Sequence, residues 1–191
     1  MADENANESS TSKALGLRIQ KKLLGKMSSK KIAKTFIDDT SGRVLDRLYS
    51  IALERSGKKA ADKVLKNCIK IAVKLAILHR NDILSKGDLQ NLNEVRSKMR
   101  NLCKTIISFH DVDFTYDYKF MNHTLNAICV KITDVLKRHL TDKSIQRVHH
   151  VFTFFMDEEF MNEVFNSSSK YRSHLDKLVI ELDLLLETNS L

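Results

Sequence analysis

The stretch 59–80, KAADKVLKNCIKIAVKLAILHR, constrains the fold more than any other part of this chain. It holds neither glycine nor proline, and turn signals flank it, Ser56-Gly57 before and Asn81-Asp82 after. Its apolar residues, among them Ala60, Val64, Leu65, Ile69, Val73 and Leu78, cover nearly the whole circumference of a helix. In a water-soluble fold that means burial on several sides. Lys63, Lys66, Lys70 and Lys74 interrupt the pattern at spacings of three and four, so four ammonium groups run along one seam. The seam reads either as a water-facing edge, with lysine stems lying over apolar neighbours, or as a cationic surface for an anionic partner.

A core helix buried on several sides needs other helices around it, and the rest of the chain supplies them. There is no proline and only five glycines in 191 residues, which disfavours sandwiches and barrels with their many tight turns. Residues 1–12 are acidic and polar and read as a disordered leader. Residues 13–191 then read as a single domain. Segment 13–27 is a basic amphipathic helix: Leu15, Ile19, Leu23 and Met27 share one face, with Arg18, Lys21 and Lys22 opposite and Lys26 at the edge. It can lie on an anionic membrane or dock on its own domain with its lysines in water. A short helix follows to Ile37, and another, burying Val44, Leu48, Ile51 and Ala52, runs to Arg55. Beyond the central stretch, Ser85-Lys86-Gly87-Asp88 reads as a loop and cap before a helix from Leu89 to Phe109 with a stripe of Leu92, Val95, Met99, Leu102, Cys103, Ile106 and Phe109. Helices over 117–140, 142–165 with a break at Asp157-Glu158-Glu159, and 171–187 complete the count. The expected architecture is all-α, a single-domain bundle of about six to seven antiparallel helices joined by short loops.

Charge is unevenly spread. Residues 13–80 carry 18 lysines and arginines against 5 acids, whereas 81–191 carry 14 against 16. One part of the surface is therefore suited to an anionic partner. Arg96 falls inside the apolar arc of its helix, where a guanidinium needs either a structural acid or an anion. The Phe/Met-rich segment with Phe152 and Phe155 is broad enough to form core and also to line an apolar cavity. Nucleic acid is not an expected partner, because the basic stripes lack interleaved aromatics and any groove-reading module.

No P-loop, GxGxxG, GxSxG or HExxH occurs, and no reactive cysteine setting is visible. The chain reads as a binding protein, not an enzyme, with no cofactor. His110, Asp111 and Asp113 lack the spacing of a metal site. Cys68, Cys103 and Cys129 lie far apart beside apolar faces and read as reduced, buried residues of a cytosolic protein.

One segment adds a family. QKKLLGKMSSKKIAKTFIDDTSGRVLDRLY, 20–49, closely resembles the start of the tumour necrosis factor-α-induced protein 8 family, also called the TIPE family. LHRN (78–81), SFHDVDFTYD (108–117), RHLT (138–141), RVHHVF (147–152) and YRSHLDKL (171–178) agree with the same family in order. The resemblance implies antiparallel helices around an elongated hydrophobic cavity that takes lipid tails. It also implies phosphoinositide binding and transfer in inflammatory and cell-death signalling, at a cytoplasmic location and transiently at the inner plasma-membrane surface. The family's cavity-mouth arginines match Arg80 and Arg96, and the basic residues around its N-terminal helix match Lys21, Lys22, Lys26 and Lys30. On that footing Arg80, Arg96 and Lys30 are expected to hold headgroup phosphates, and Lys21, Lys22 and Lys26 to dock on anionic membrane. The cavity wall is expected to include Leu65, Ile69, Val73, Leu92, Met99, Cys103, Phe152 and Phe155. Where many members carry Ser-Glu-Val-Leu-Asp-Glu-Leu, this chain has Gly42-Arg43-Val44-Leu45-Asp46-Arg47-Leu48, so Arg43 and Arg47 replace acids and would strengthen membrane attraction or alter a partner's face. The alternative function is a helical adaptor that recruits death or small-GTPase signalling proteins.

Overall fold

The computed structural model describes residues 39–112 and 115–188. Among them every regular element is a helix: α1 (Asp39–Arg80), α2 (Lys86–Asp111), α3 (Tyr118–His139), α4 (Asp142–Phe155), α5 (Glu158–Val164) and α6 (Arg172–Glu187). The breaks fall where the sequence places its caps. Asp117 and Asp157 accept backbone N–H groups at the starts of α3 and α5. Helix α2 begins at Lys86, three residues ahead of the expected Leu89, because Ser85 and Asp88 form a reciprocal capping box.

Helix α1 is not one rod. Gly57 adopts φ 74°, ψ 172°, a region that glycine alone occupies comfortably. Tyr49 Oη donates to Asp62 Oδ1 at 3.0 Å, although in a straight helix these residues would stand about 20 Å apart along the axis. The chain folds back at Gly57, giving two arms, 39–56 and 58–80.

Pairings between elements define a ring. The first arm meets α6 in antiparallel sense: Arg43 and Arg47 reach Glu181, while Glu54 reaches Lys170. Helix α6 runs against α2, with Arg100 near Leu186 and His110 on Asp176. Helix α2 runs against α3 through Glu94–Lys131 and Asp88–Arg138. Helix α3 faces α4 at Cys129 and His149. Helix α4 closes the circuit on the second arm of α1 through His150–Asn67 and Ser144–Lys74. A closed circuit of antiparallel neighbours must have an even number of members. The fold at Gly57 supplies the sixth.

Six axes spaced as packed helices stand roughly 9 Å from their common centre, about twice the reach from a helix axis to its contact plane with a neighbour. Side chains along the axis must therefore fill that space or line it. The buried set draws on every helix, including Leu78, Met121, Ile128, Leu136, Val148, Tyr171 and Leu175, none more than 2% exposed.

Candidate functional site

Arg80 is the last residue of α1. The helix stops there because Asp82 turns to a positive φ of 50°, which a short polar side chain tolerates, and Ile83 N–H reaches back to the Leu78 carbonyl at 3.3 Å. In the ring order the second arm of α1 and α2 stand across from one another. The connection 81–85 therefore crosses this end of the bundle, with Leu84 buried beneath it. Arg80 stands at that end, while Arg96 lies on the facing helix α2 ten residues past its start at Lys86, about 15 Å along the axis, and both are exposed. Exposure corrects the expectation of Arg96 on a buried face. The fully buried residues of α2 are Val95, Leu102, Cys103 and Phe109, and Arg96 lies about 100° round the helix from Val95, at the margin of that face.

The eight residues expected to line a cavity fall into two groups. Val73 and Cys103 are buried. Leu65, Ile69, Leu92, Met99, Phe152 and Phe155 are half-buried. Leu92, Met99 and Ile106 form a stripe at intervals of seven that keeps accessible surface while packed on the core.

Fixed charges hold the Arg80 end together. Glu181, 8% exposed, accepts Arg43 Nε at 2.7 Å and Arg47 Nη2 at 3.3 Å. The Arg43 hydrogen bond outweighs burial and, with the charges of both arginines, holds the Glu181 carboxyl below its usual value. Arg43 and Arg47, expected to strengthen membrane attraction or alter a partner's face, both pair with this acid while 46% and 38% of their side chains stay exposed. Asp88, 1% exposed, takes hydrogen bonds from Ser85, Arg138 and His139. Burial alone would raise its carboxyl, but the bonds from His139, Ser85 and Arg138 prevail and hold it well below the usual carboxylate range. Sequence reasoning passed over Glu181 and read Asp88 only as part of a loop and cap. The available signal was a carboxylate between Leu178 and Leu185 on the apolar face of α6, and an aspartate three residues after a cap.

The opposite end is closed by aromatic rings. Phe154 packs edge-on against Phe155 and Phe160, and Phe160 against Tyr171. The Arg55 guanidinium lies 4.6 Å from the Phe154 centroid and 4.1 Å from that of Phe160. It also donates to the Phe154 carbonyl at 2.5 Å and pairs with Asp157 at 3.1 Å. A second group, Phe109, Tyr116 and Phe165, continues the seal.

The leader 1–12, the 13–27 helix and Lys21, Lys22, Lys26 and Lys30 lie outside the described residues. Among those described, no group of His, Cys, Asp and Glu could hold a metal ion, and His110 is engaged by Asp111 and Asp176 at 2.8 Å each. No described helix is long and apolar enough to cross a membrane. The three cysteines are free, and burial pushes the Cys68 and Cys103 thiols up to about 12 and about 11.

A family model described as tumor necrosis factor alpha-induced protein 8-like matches residues 10–189. Tumor necrosis factor alpha-induced protein 8 of Homo sapiens is 40% identical over 189 residues, 98% of this chain and 96% of that protein. Protein salivary glands marred of Drosophila melanogaster is 39% identical over 178 residues, 93% and 95% of the two chains. In structure, the C-terminal region of G-protein interacting protein 1 from Dictyostelium discoideum superposes with a TM-score of 0.69 over 81% of this chain and 95% of its own. At 17% identity that likeness speaks for the fold alone.

Proposed function

This chain belongs to the tumor necrosis factor alpha-induced protein 8-like family, and from that premise we propose that it is a non-enzymatic phosphoinositide-binding and lipid-transfer protein. The observation that carries the reading is the ring itself. Six antiparallel segments surround an axis, aromatic side chains close one end, and Arg80 stands at the other, with Arg96 on the facing helix α2. Lipid tails occupy the space beside Leu92, Met99, Phe152 and Phe155, where apolar surface remains to be covered. Arg80 and Arg96, with Lys30, hold headgroup phosphates by charge-assisted hydrogen bonds. Lys21, Lys22 and Lys26 bring the molecule to an anionic cytoplasmic leaflet from the cytoplasm.

The test is co-sedimentation with vesicles carrying phosphatidylinositol bisphosphate, against phosphatidylserine vesicles matched in total charge. The expected result is a preference for the phosphoinositide that disappears in Arg80→Gln/Arg96→Gln while helix content and Tm hold. Unchanged selectivity in that folded variant overturns the headgroup assignment.

A second reading, an adaptor for death or small-GTPase signalling proteins, is favoured by Ile180 and Leu184. These stand one turn apart on α6 and are 61% and 39% exposed. An adaptor need carry no lipid, so mass spectrometry of lipid extracted from the purified chain separates the two readings.

A further inference from the structure

The lysine seam of α1 does not simply face water. Two hydrogen bonds fix how it lies against α4: Asn67 Nδ2 with His150 Nδ1 at 3.2 Å, and Lys74 Nζ donating to Ser144 Oγ at 2.5 Å. This antiparallel register sets Lys70 opposite Arg147 and Lys74 opposite Lys143, with Lys66 one turn before Lys70. Lys70 and Arg147 are half-buried, so their charges are held at the interhelical boundary and not spread into solvent. Burial, followed by the charges of Arg147, Lys66 and Lys143, lowers the Lys70 ammonium from its usual value. Among the described residues no ion pair joins Lys66, Lys70, Lys143 or Arg147 to an acid.

Elsewhere the molecule treats its interhelical charges differently. Arg43 and Arg47 share Glu181, Arg138 has Asp88, Lys131 has Glu94 and Arg55 has Asp157. Every one of those helix contacts brings an acid to the base. The α1–α4 contact brings base to base, which repels in the free protein and becomes favourable when an anion is shared between the two rows.

We propose that the seam between the second arm of α1 and α4 is a distinct anion site, with Lys66, Lys70, Lys143 and Arg147 as its ligands, for a molecule bearing two or more phosphates. Several phosphates are required because the cations form two facing rows and not one pocket. Arg147 offers a planar fork for one phosphate, while the lysines act as point charges on its neighbours. The site does not rest on the Arg80 and Arg96 assignment.

Isothermal titration with inorganic tripolyphosphate, a multivalent phosphate without lipid, tests the seam at fixed ionic strength. The expected result is saturable binding whose apparent Kd rises about tenfold or more in Lys70→Gln/Arg147→Gln, holds in Lys70→Arg, and is unaffected by Arg80→Gln/Arg96→Gln. Relief of repulsion also leaves the Lys70→Gln/Arg147→Gln variant no less heat-stable than the parent without ligand, so lost binding is not lost fold. Co-sedimentation of the same variant with phosphatidylinositol bisphosphate vesicles identifies the source. Loss of both activities names a lipid headgroup, and loss of tripolyphosphate binding alone names a soluble phosphate. Absence of saturable binding, or binding that survives in the seam variant and fails in the arginine variant, overturns the proposal.

Discussion

Tyr49 and Asp62, thirteen residues apart, meet at 3.0 Å across the fold at Gly57. That contact turns an apparent 42-residue helix into two neighbouring staves of the ring. The turn depends on a backbone conformation and not on close packing, since nothing lies within 4 Å of a Cβ built at Gly57. Gly57→Ala is therefore expected to lower stability by about 1–3 kcal/mol through φ/ψ strain alone. Asparagine, which suits the left-handed helical region, is no remedy at ψ 172°. Urea denaturation of the alanine and asparagine variants checks both statements, with similar losses expected for the two.

Two buried carboxyls set the acid limit of the fold. Asp88 and Glu181 are both held below their ordinary values of 3.8 and 4.5 in the native state. A depressed native pKa contributes stability that is present above the unfolded value and is lost as pH falls through the native one. The urea midpoint is expected to stay level from neutral pH to about pH 5 and to fall below that. Asp88→Asn/Glu181→Gln should lose stability at neutral pH, because Arg138, Arg43 and Arg47 are left without their acids, and should show a shallower acid limb. Parallel midpoints for parent and variant through the acid range would contradict this account.

Arg55 joins the fold of α1 to the aromatic seal through two ring faces, a carbonyl and Asp157. Only the Asp157 pair is a charge interaction that salt screens. Arg55→Lys, which keeps the charge and removes the planar stack, is expected to cost about 1 kcal/mol. The loss should persist in high salt, which denaturation at low and at 1 M sodium chloride would reveal.

Helix positions were legible in the sequence because punctuation and periodicity are local. Ser85, Asp117 and Asp157 mark starts, and the heptad-like stripe through Leu92, Val95, Met99 and Leu102 marks a packed face. Which helix neighbours which was not legible, since ring order is set by contacts between residues such as Arg43 and Glu181, 138 positions apart. The same gap explains the arginines. Arg43 and Arg47 looked like free surface charge because their acid lies at the other end of the chain. Arg96 looked buried because periodicity locates the centre of a face better than its edge. The lysine seam was visible as a row, but Arg147 opposite Lys70 appears only once α4 is laid against α1.

Met99 offers the sharpest test of whether the axis is filled or lined. Its side chain is half-buried although packed on the core, midway along the stripe between Leu92 and Ile106. In a filled interior the larger indole of Met99→Trp would strain its neighbours at a cost of about 1–3 kcal/mol, lowering Tm by roughly 2–4 °C for each kcal/mol in a chain of this size. Against a lined void the indole has room, covers exposed apolar surface and removes space for an acyl chain. The expected outcome is a Tm equal to or above that of the parent, together with reduced extraction of fluorescent phosphoinositide from vesicles. A clear fall in Tm with unchanged extraction would mean that side chains already fill the axis and that lipid is held elsewhere.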